Sequence, residues 1–206
     1  NLNLLELSYF GAEAKAYLSN ARLSMFDFKA GVFNTYYDVR RYQPSVDFVT
    51  DFPTQVNRFG PFAELLFNSK DDKYYAHKGL SVDLKYHWNV VTGVNKTNYH
   101  ALVFNIGGVI PLHKQVALIP NLYNRFLFGN EPIALDRNML GGSMAGRYFE
   151  QQIQFMSINT VIPQDNMLSA GSLSLRYEPV KDVYVSAVGN IARTAHSFDT
   201  FFQNSQ

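Results

Sequence analysis

The chain has 206 residues, a net charge of +1 and no cysteine. The lack of cysteine excludes disulfides, zinc–thiolate sites and cysteine nucleophiles, and the near-neutral charge gives no electrostatic reason to expect nucleic acid. A mean hydropathy of −0.15 and the absence of any run of about 18 apolar residues exclude a membrane-spanning helix. Aromatic residues make up 15% of the chain, which is typical of β-strands and membrane interfaces.

Alternating apolar and polar residues predict about nine strands along the chain. In order, they are residues 4–18, 26–32, 59–68, 80–90, 100–110, 116–128, 151–161, 172–178 and 183–191. Short turn-like connections alternate with two longer stretches, 43–57 and 129–145, which is the connection pattern of outer-membrane barrels. No segment has a helical period and no composition shift marks a boundary, so residues 1–206 are predicted to form one segment of one domain.

The clearest alternation is in residues 80–90. One face carries Leu80, Val82, Leu84, Tyr86, Trp88 and Val90, and the other carries Ser81, Asp83, Lys85, His87 and Asn89. This strict period of two predicts a strand with one apolar and one fully polar face. Its length matches the roughly 9–11 residues of a tilted transmembrane strand. We therefore expect the apolar face to meet lipid and His87 to point into a lumen.

Aromatic residues cluster near the predicted strand ends. The clusters are Tyr36, Tyr37 and Tyr42; Tyr74 and Tyr75; Phe126 and Phe128; and Tyr148 and Phe149. At the two membrane interfaces they would form aromatic girdles. The alternative is that they are core aromatics of a soluble β-sandwich.

The candidate catalytic and metal patterns are incomplete. Ser143 lies in a glycine-rich stretch, but a nucleophile elbow needs glycine two residues after the serine, where this chain has Ala145. None of the five histidines has a metal-ligand spacing with a supporting carboxylate; they are His77, His87, His100, His113 and His196. The sequence therefore predicts no catalytic residue, no metal and no cofactor in this chain, which we do not expect to be an enzyme by itself.

Two segments resemble the BamA-type superfamily of outer-membrane barrels. Residues 69–80, with Asp72 and Gly79, are similar to the turn that enters a strand in that superfamily. Residues 140–148, preceded by 123–129, are similar to its lumenal loop. The matching loop residues are Gly141, Gly142, Gly146, Arg147 and Tyr148. Their order, followed by residues 151–155, looks most like the C-terminal barrel of bacterial patatin-like phospholipase outer-membrane proteins.

The resemblance implies an all-β fold, an antiparallel transmembrane β-barrel of about sixteen strands. Because only about nine are predicted here, the chain is expected to be a partial barrel, an internal fragment or mature segment of its parent protein. The loop at 129–147 is expected to fold into the lumen. In the superfamily the loop arginine is held by acidic residues on the inner wall, so Glu178 is the possible partner of Arg147.

The function implied is an outer-membrane segment of a Gram-negative bacterium, acting as a membrane anchor or as a barrel for protein insertion or translocation. The parent protein could then be a patatin-like phospholipase with its catalytic domain upstream. Expected partners are outer-membrane lipid and the remaining strands of the same barrel, with a homo-oligomer left open and no nucleic acid. The alternative is a soluble β-sandwich module that binds carbohydrate or protein.

Overall fold

A computed structural model of the chain describes residues 6–19, 25–43, 55–72, 75–93, 96–142, 151–153, 155, 158 and 161–203. Its strands are β1 (Glu6–Ser19), β2 (Phe26–Gln43), β3 (Gln55–Asn68), β4 (Gly79–Gly93), β5 (Thr97–His113), β6 (Val116–Gly129), β7 (Met139–Gly141), β8 (Gln152–Ile153), β9 (Val161–Pro163), β10 (Met167–Val180) and β11 (Val183–Ala195). Eight of them form one antiparallel sheet in the order β1-β2-β3-β4-β5-β6-β10-β11. The sheet is therefore a meander interrupted once, between β6 and β10.

The alternation predicted for residues 80–90 is confirmed in β4. Leu80 and Trp88 lie on the outer face, each 42% exposed, whereas Asp83, Lys85 and His87 line a cavity on the inner face. The same division continues across the sheet, with Leu173 and Leu175 of β10 exposed on the outer face. A water-soluble sandwich would cover this apolar face with a second sheet, and the described residues place no second sheet of long strands there. The fold is that of a partial transmembrane β-barrel.

The strand predicted at residues 151–161 is wrong. Residues 151–161 do not form a long strand, because their described residues contribute only β8 and the first residue of β9. The sheet consequently has eight long strands among the described residues, where about nine were predicted. After β11 the chain continues into a short helix, α1 (Phe198–Phe202).

The aromatic girdle forms only in part. Phe126 and Phe128 lie on the outer face, where both contact Phe198 of α1. Tyr37 instead lines the inner cavity, and Tyr75 stacks on Tyr184 of the inner face with the ring centroids 5.1 Å apart. The girdle prediction is therefore wrong for Tyr37 and Tyr75. The side chains of Tyr42, Tyr74, Tyr148 and Phe149 lie outside the described residues.

The two ends of the sheet differ in their connections. At one end, the short-turn rim, β5 joins β6 through residues 114–115 and β10 joins β11 through residues 181–182. Residues 69–78 connect β3 to β4 at the same rim. At the other end, the long-loop rim, residues 130–166 connect β6 to β10. Among the described residues, no helix is both long and apolar enough to cross a membrane.

Candidate functional site

The described part of the long connection from β6 to β10 folds over the inner face of the sheet. Within it β7 pairs with β8 in parallel and with β9 antiparallel, which makes a small three-stranded sheet. Leu140 of β7 packs against Tyr123 of β6 and Leu168 of β10. Nearer the long-loop rim, Ile133 and Leu135 enter a buried cluster with Tyr99 and Leu127 of the wall. The described part of this loop is therefore docked through apolar contacts on the inner wall.

A buried ion pair fixes the same loop to the wall. Asp136 lies in a single 3₁₀ turn, Ala134–Asp136, and its Oδ1 accepts a hydrogen bond of 2.7 Å from Nη1 of Arg58 in β3. The hydroxyl of Tyr99 in β5 donates to the other carboxylate oxygen. Arg58 is 8% exposed and Asp136 is 2% exposed. The carboxylate is thus shared between two strands of the wall, and both of its oxygens are bonded.

A second arginine holds the next turn of the loop. Nη1 of Arg125 in β6 donates to the backbone oxygen of Asp136 at 2.8 Å and to Oδ1 of Asn138 at 2.9 Å. The side-chain amide of Asn138 then donates to the backbone oxygens of Asp165 and Asn166 at 2.8 and 3.0 Å. Asn138 is fully buried. It therefore joins the start of the loop, the wall and the chain that enters β10.

The electrostatics of this anchor explain why its side chains are of these types. A charge removed from water is tolerated where a partner of opposite sign and good geometry compensates for the lost solvation. Arginine suits such a place because its planar group is weakly hydrated and also packs on rings. The guanidinium carbon of Arg58 lies 5.4 Å from the ring centre of Phe33 and 5.9 Å from that of Tyr37. We call Arg58, Tyr99, Arg125, Asp136 and Asn138 the loop anchor.

A polar cavity of about 570 Å³ lies between the loop and the wall. Arg58, Arg125 and Asp136 border it on the side of the loop anchor, and Asp83, Lys85 and Asn105 line its wall. His87 also lines the cavity, as the sequence predicts, and its Nε2 lies 3.8 Å from Oε1 of Glu64. The inner face can therefore accommodate polar groups and water between its loop and its wall.

The structure places the predicted loop residues only in part. Gly141 and Gly142 have φ angles of 112° and 77°, a region that residues with a side chain rarely adopt. They turn the chain as it leaves β7. Gly146, Arg147 and Tyr148 lie outside the described residues. Their role in the lumen stays a prediction.

Glu178, the predicted partner of Arg147, lies at the short-turn rim. Its Oε1 accepts from the backbone N–H of Asp182 at 3.0 Å, and its Oε2 lies 3.7 Å from Nε2 of His77. The pairing of Glu178 with Arg147 stays a prediction, but Glu178 already has contacts within its own hairpin and with residues 69–78. In the contact that the structure describes, the positions of acid and arginine are reversed: the acid, Asp136, is on the loop and Arg58 is on the wall.

The predicted strand-entry turn lies where β4 begins. Oδ1 of Asp72 accepts from the backbone N–H of Tyr75 at 2.7 Å. Gly79 has a φ of 120°, and a Cβ atom there would lie 2.6 Å from the Cα of Lys70. The two residues shape a tight return of the chain, which is a structural role.

Sequence reasoning missed the whole loop anchor. Arg58 falls one residue before the predicted strand 59–68, so the predicted alternation places it on neither face. Arg125 lies within the predicted strand 116–128, and Asp136 and Asn138 lie in a loop without periodicity. The available signal is a single cation on each of two strands, beside a polar Asp136-Arg137-Asn138 triplet bounded by apolar residues.

Comparison with known proteins agrees with this arrangement. A family model described as the OMP85 superfamily matches residues 1–206, and no curated protein matches the chain. Proteins of this superfamily are outer-membrane barrels of Gram-negative bacteria that function in protein insertion or translocation, and in general they are not enzymes. With an apolar outer face, a polar inner face and a loop anchored inside, the chain belongs to the OMP85 superfamily of outer-membrane proteins.

Proposed function

We propose that this chain is the wall and the internal plug of a barrel that inserts or translocates proteins in the outer membrane. The observation that carries the proposal is Asp136, which is held at 2.7 Å by Arg58 while its backbone oxygen is held by Arg125. Membership of the superfamily supports a general role in protein insertion or translocation. The anchor adds a way to keep the lumen occupied between transport events.

Passage of a substrate requires the loop to leave or shift. Moving residues 133–138 off the wall separates a buried ion pair and exposes the apolar side chains of Ile133 and Leu135. Breaking a buried pair so that one charge stays uncompensated costs about 3–5 kcal/mol. The resting state is therefore plugged, and opening needs a substrate or partner that offsets this cost.

Ion conductance of the complete protein in planar bilayers tests this role. Asp136→Asn removes the charge of the anchor and preserves its size, so we expect larger or more frequent open states than in the parent. Glu131→Gln is the matched control, because Glu131 pairs with Arg137 at 2.7 Å on the exposed part of the same loop. Equal conductance in the parent, Asp136→Asn and Glu131→Gln would refute the plug.

Cysteine labelling tests the membrane orientation, and this chain has no native cysteine to interfere. Ser174 and Leu175 are neighbours in β10 that point to opposite faces, and Leu175 is 46% exposed on the outer face. In the lipid-embedded protein, a water-soluble maleimide should label Ser174→Cys faster than Leu175→Cys. Faster labelling of Leu175→Cys would contradict the assignment of the outer face to lipid.

A second role within the same superfamily is a membrane anchor for an enzyme. The resemblance of residues 141–148 to barrels attached to patatin-like phospholipases favours it. In that case the complete protein should release fatty acids from phospholipid vesicles, and Asp136→Asn should leave this hydrolysis unchanged. Absence of hydrolysis by the complete protein would exclude the patatin-like parent and leave the insertion or translocation role intact.

A further inference from the structure

The described residues between β3 and β4, 69–72 and 75–78, form a structured strap at the short-turn rim. The backbone N–H of Ser69 donates to the oxygen of Leu80 at 2.8 Å, and that of Asp71 donates to the oxygen of Lys78 at 3.2 Å. Oδ1 of Asp71 in turn accepts from the backbone N–H groups of His77 and Lys78. Its described residues, 69–72 and 75–78, are thus held in a defined return of the chain.

The strap lies against the inner face of the sheet. Ala76 is 5% exposed and packs against Val109 of β5 and Ala117 of β6, with Ile119 beside them. These wall residues belong to the same face as Asn105 and Asn121, which line the cavity, because they follow at intervals of two along β5 and β6. The strap therefore crosses β5 and β6 on the lumenal side.

Beyond β6, the strap reaches the hairpin of β10 and β11. The guanidinium of Arg176 in β10 donates to the backbone oxygen of Ala76. The rings of Tyr75 and Tyr184 stack with an interplanar angle of 9°, and the Arg176 guanidinium lies 5.1 Å from the Tyr184 ring centre. His77 adds its contact with Glu178. The hydrogen bond and the stacked rings are the principal contacts, because His77 is 59% exposed and charged only when protonated.

We propose that this strap is a second closure of the lumen, located at the rim opposite the loop anchor. The cavity reaches Asn121 of β6 and Ser172 of β10. Ala76 covers Ile119 and Ala117, the next inner positions of β6 toward the short turns. Arg176, two inner positions beyond Ser172, holds the strap there. The loop thus borders the cavity on the long-loop side, and the strap covers the inner wall next to it on the short-turn side.

This inference goes beyond the proposed function, because the strap and the loop anchor share no residue. Each closure can be released alone, and each controls access from its own rim. Release of the strap should admit small solutes from the short-turn side, and release of the loop should admit them from the long-loop side. Both must yield before a chain can pass through.

The test measures access to the cavity from each side. The complete protein, reconstituted in liposomes in one orientation, carries Ser172→Cys in the cavity wall, and a membrane-impermeant maleimide is added to one side at a time. Adding Arg176→Ala should raise the labelling rate from the short-turn side and leave the rate from the other side unchanged. Tyr75→Ala, a change within the strap itself, should do the same if Arg176→Ala fails to fold.

Two controls distinguish the strap proposal from the proposal that the loop is a plug. Leu173→Cys, the next residue on the outer face, should label at one rate in every background. Asp136→Asn should alter access only from the long-loop side, so its failure would refute the plug without affecting the strap. The strap proposal is overturned if neither Tyr75→Ala nor folded Arg176→Ala changes the labelling rate of Ser172→Cys from the short-turn side. It is also overturned if, without either change, Ser172→Cys already labels from that side as fast as in the unfolded protein.

Discussion

Asp136 and Arg58 form a buried ion pair of 2.7 Å across a separation of 78 residues. One member belongs to an irregular turn and the other to a central strand of the wall. Because Tyr99 binds the second oxygen of the same carboxylate, a single loop side chain contacts both β3 and β5. The charge of Asp136 therefore helps to fix the position of the loop, together with the apolar contacts of the loop with the wall.

Asp136→Asn should be strongly destabilising. The substitution leaves the buried Arg58 without its counter-charge, which is expected to lower the free energy of unfolding by about 3–5 kcal/mol. Urea unfolding in detergent micelles measures it, with Trp88, the single tryptophan of the chain, as the fluorescent probe. Glu131→Gln removes an exposed pair and should cost under about 1 kcal/mol. Equal losses for the two variants would contradict a buried role for Asp136.

Tyr99→Phe tests the second contact of the carboxylate. It removes one hydroxyl that donates to a charged group in a fully buried place, so a loss of about 1.5–3 kcal/mol is expected. Tyr86→Phe is the matched change in β4, where the hydroxyl contacts Nδ1 of His100 at 2.8 Å on the half-buried outer side. That part-buried hydrogen bond should be worth about 0.5–1.5 kcal/mol. The same unfolding assay compares them, and a smaller loss for Tyr99→Phe would contradict the anchor.

Gly79→Ala should destabilise the entry to β4. At φ 120°, a Cβ atom would collide with the backbone of Ser69 and Lys70 at 2.6 Å, so the loss should exceed the about 0.4–1 kcal/mol typical of glycine effects on the unfolded chain. Gly189→Ala in β11 is the control, since a Cβ atom there meets nothing within 4 Å. It should be neutral or slightly stabilising. Equal thermal midpoints for both variants would show that the strap tolerates rearrangement at Gly79.

Acid should loosen the strap through Asp71. The backbone N–H groups of Lys78 and His77 bind its carboxylate and hold the pKa of Asp71 below its ordinary value. A carboxyl group with a depressed pKa in the folded state contributes stability above its unfolded value, and this is lost as the pH falls through the folded value. The protection factors of the His77 and Lys78 amides, which correct for the intrinsic slowing of hydrogen exchange in acid, should fall below about pH 4. Asp71→Asn should exchange faster at neutral pH and lose this acid dependence; an unchanged profile would contradict the role of the carboxylate.

The local sequence pattern is sufficient to predict a strand that has one apolar and one polar face. Residues 80–90 show this, because burial on one side and lipid on the other impose a strict period of two. Tyr37 lies beyond the end of the predicted strand, although the same alternation continues to it. The predicted strand ended at residue 32, whereas β2 continues to Gln43, and the alternation that puts Asp27 and Lys29 inside extends to Tyr37.

The loop could not be predicted in the same way. Residues 151–161 contain enough strand-forming side chains to resemble a wall strand, but their described strand residues pair with β7 in the small sheet, as β8 and the start of β9. Asp136 lies far in sequence from Arg58, and local pattern carries no information on such a pair. Its partners become apparent only when the register of β3, β5 and β6 brings their inner positions together.

The bonds of Asn138 have a consequence for how the barrel forms. The other neighbouring pairs in the large sheet are joined by connections of 2–11 residues, whereas β6 and β10 must close across residues 130–166, which carries a larger entropic penalty. Asn138 bonds to Asp165 and Asn166, and the oxygen of Asn166 also accepts from the N–H of Leu127 in β6. The docked loop thus shortens the effective connection between the two strands. Loop docking and the pairing of β6 with β10 are therefore linked steps of assembly, and the plug is part of how the wall is built.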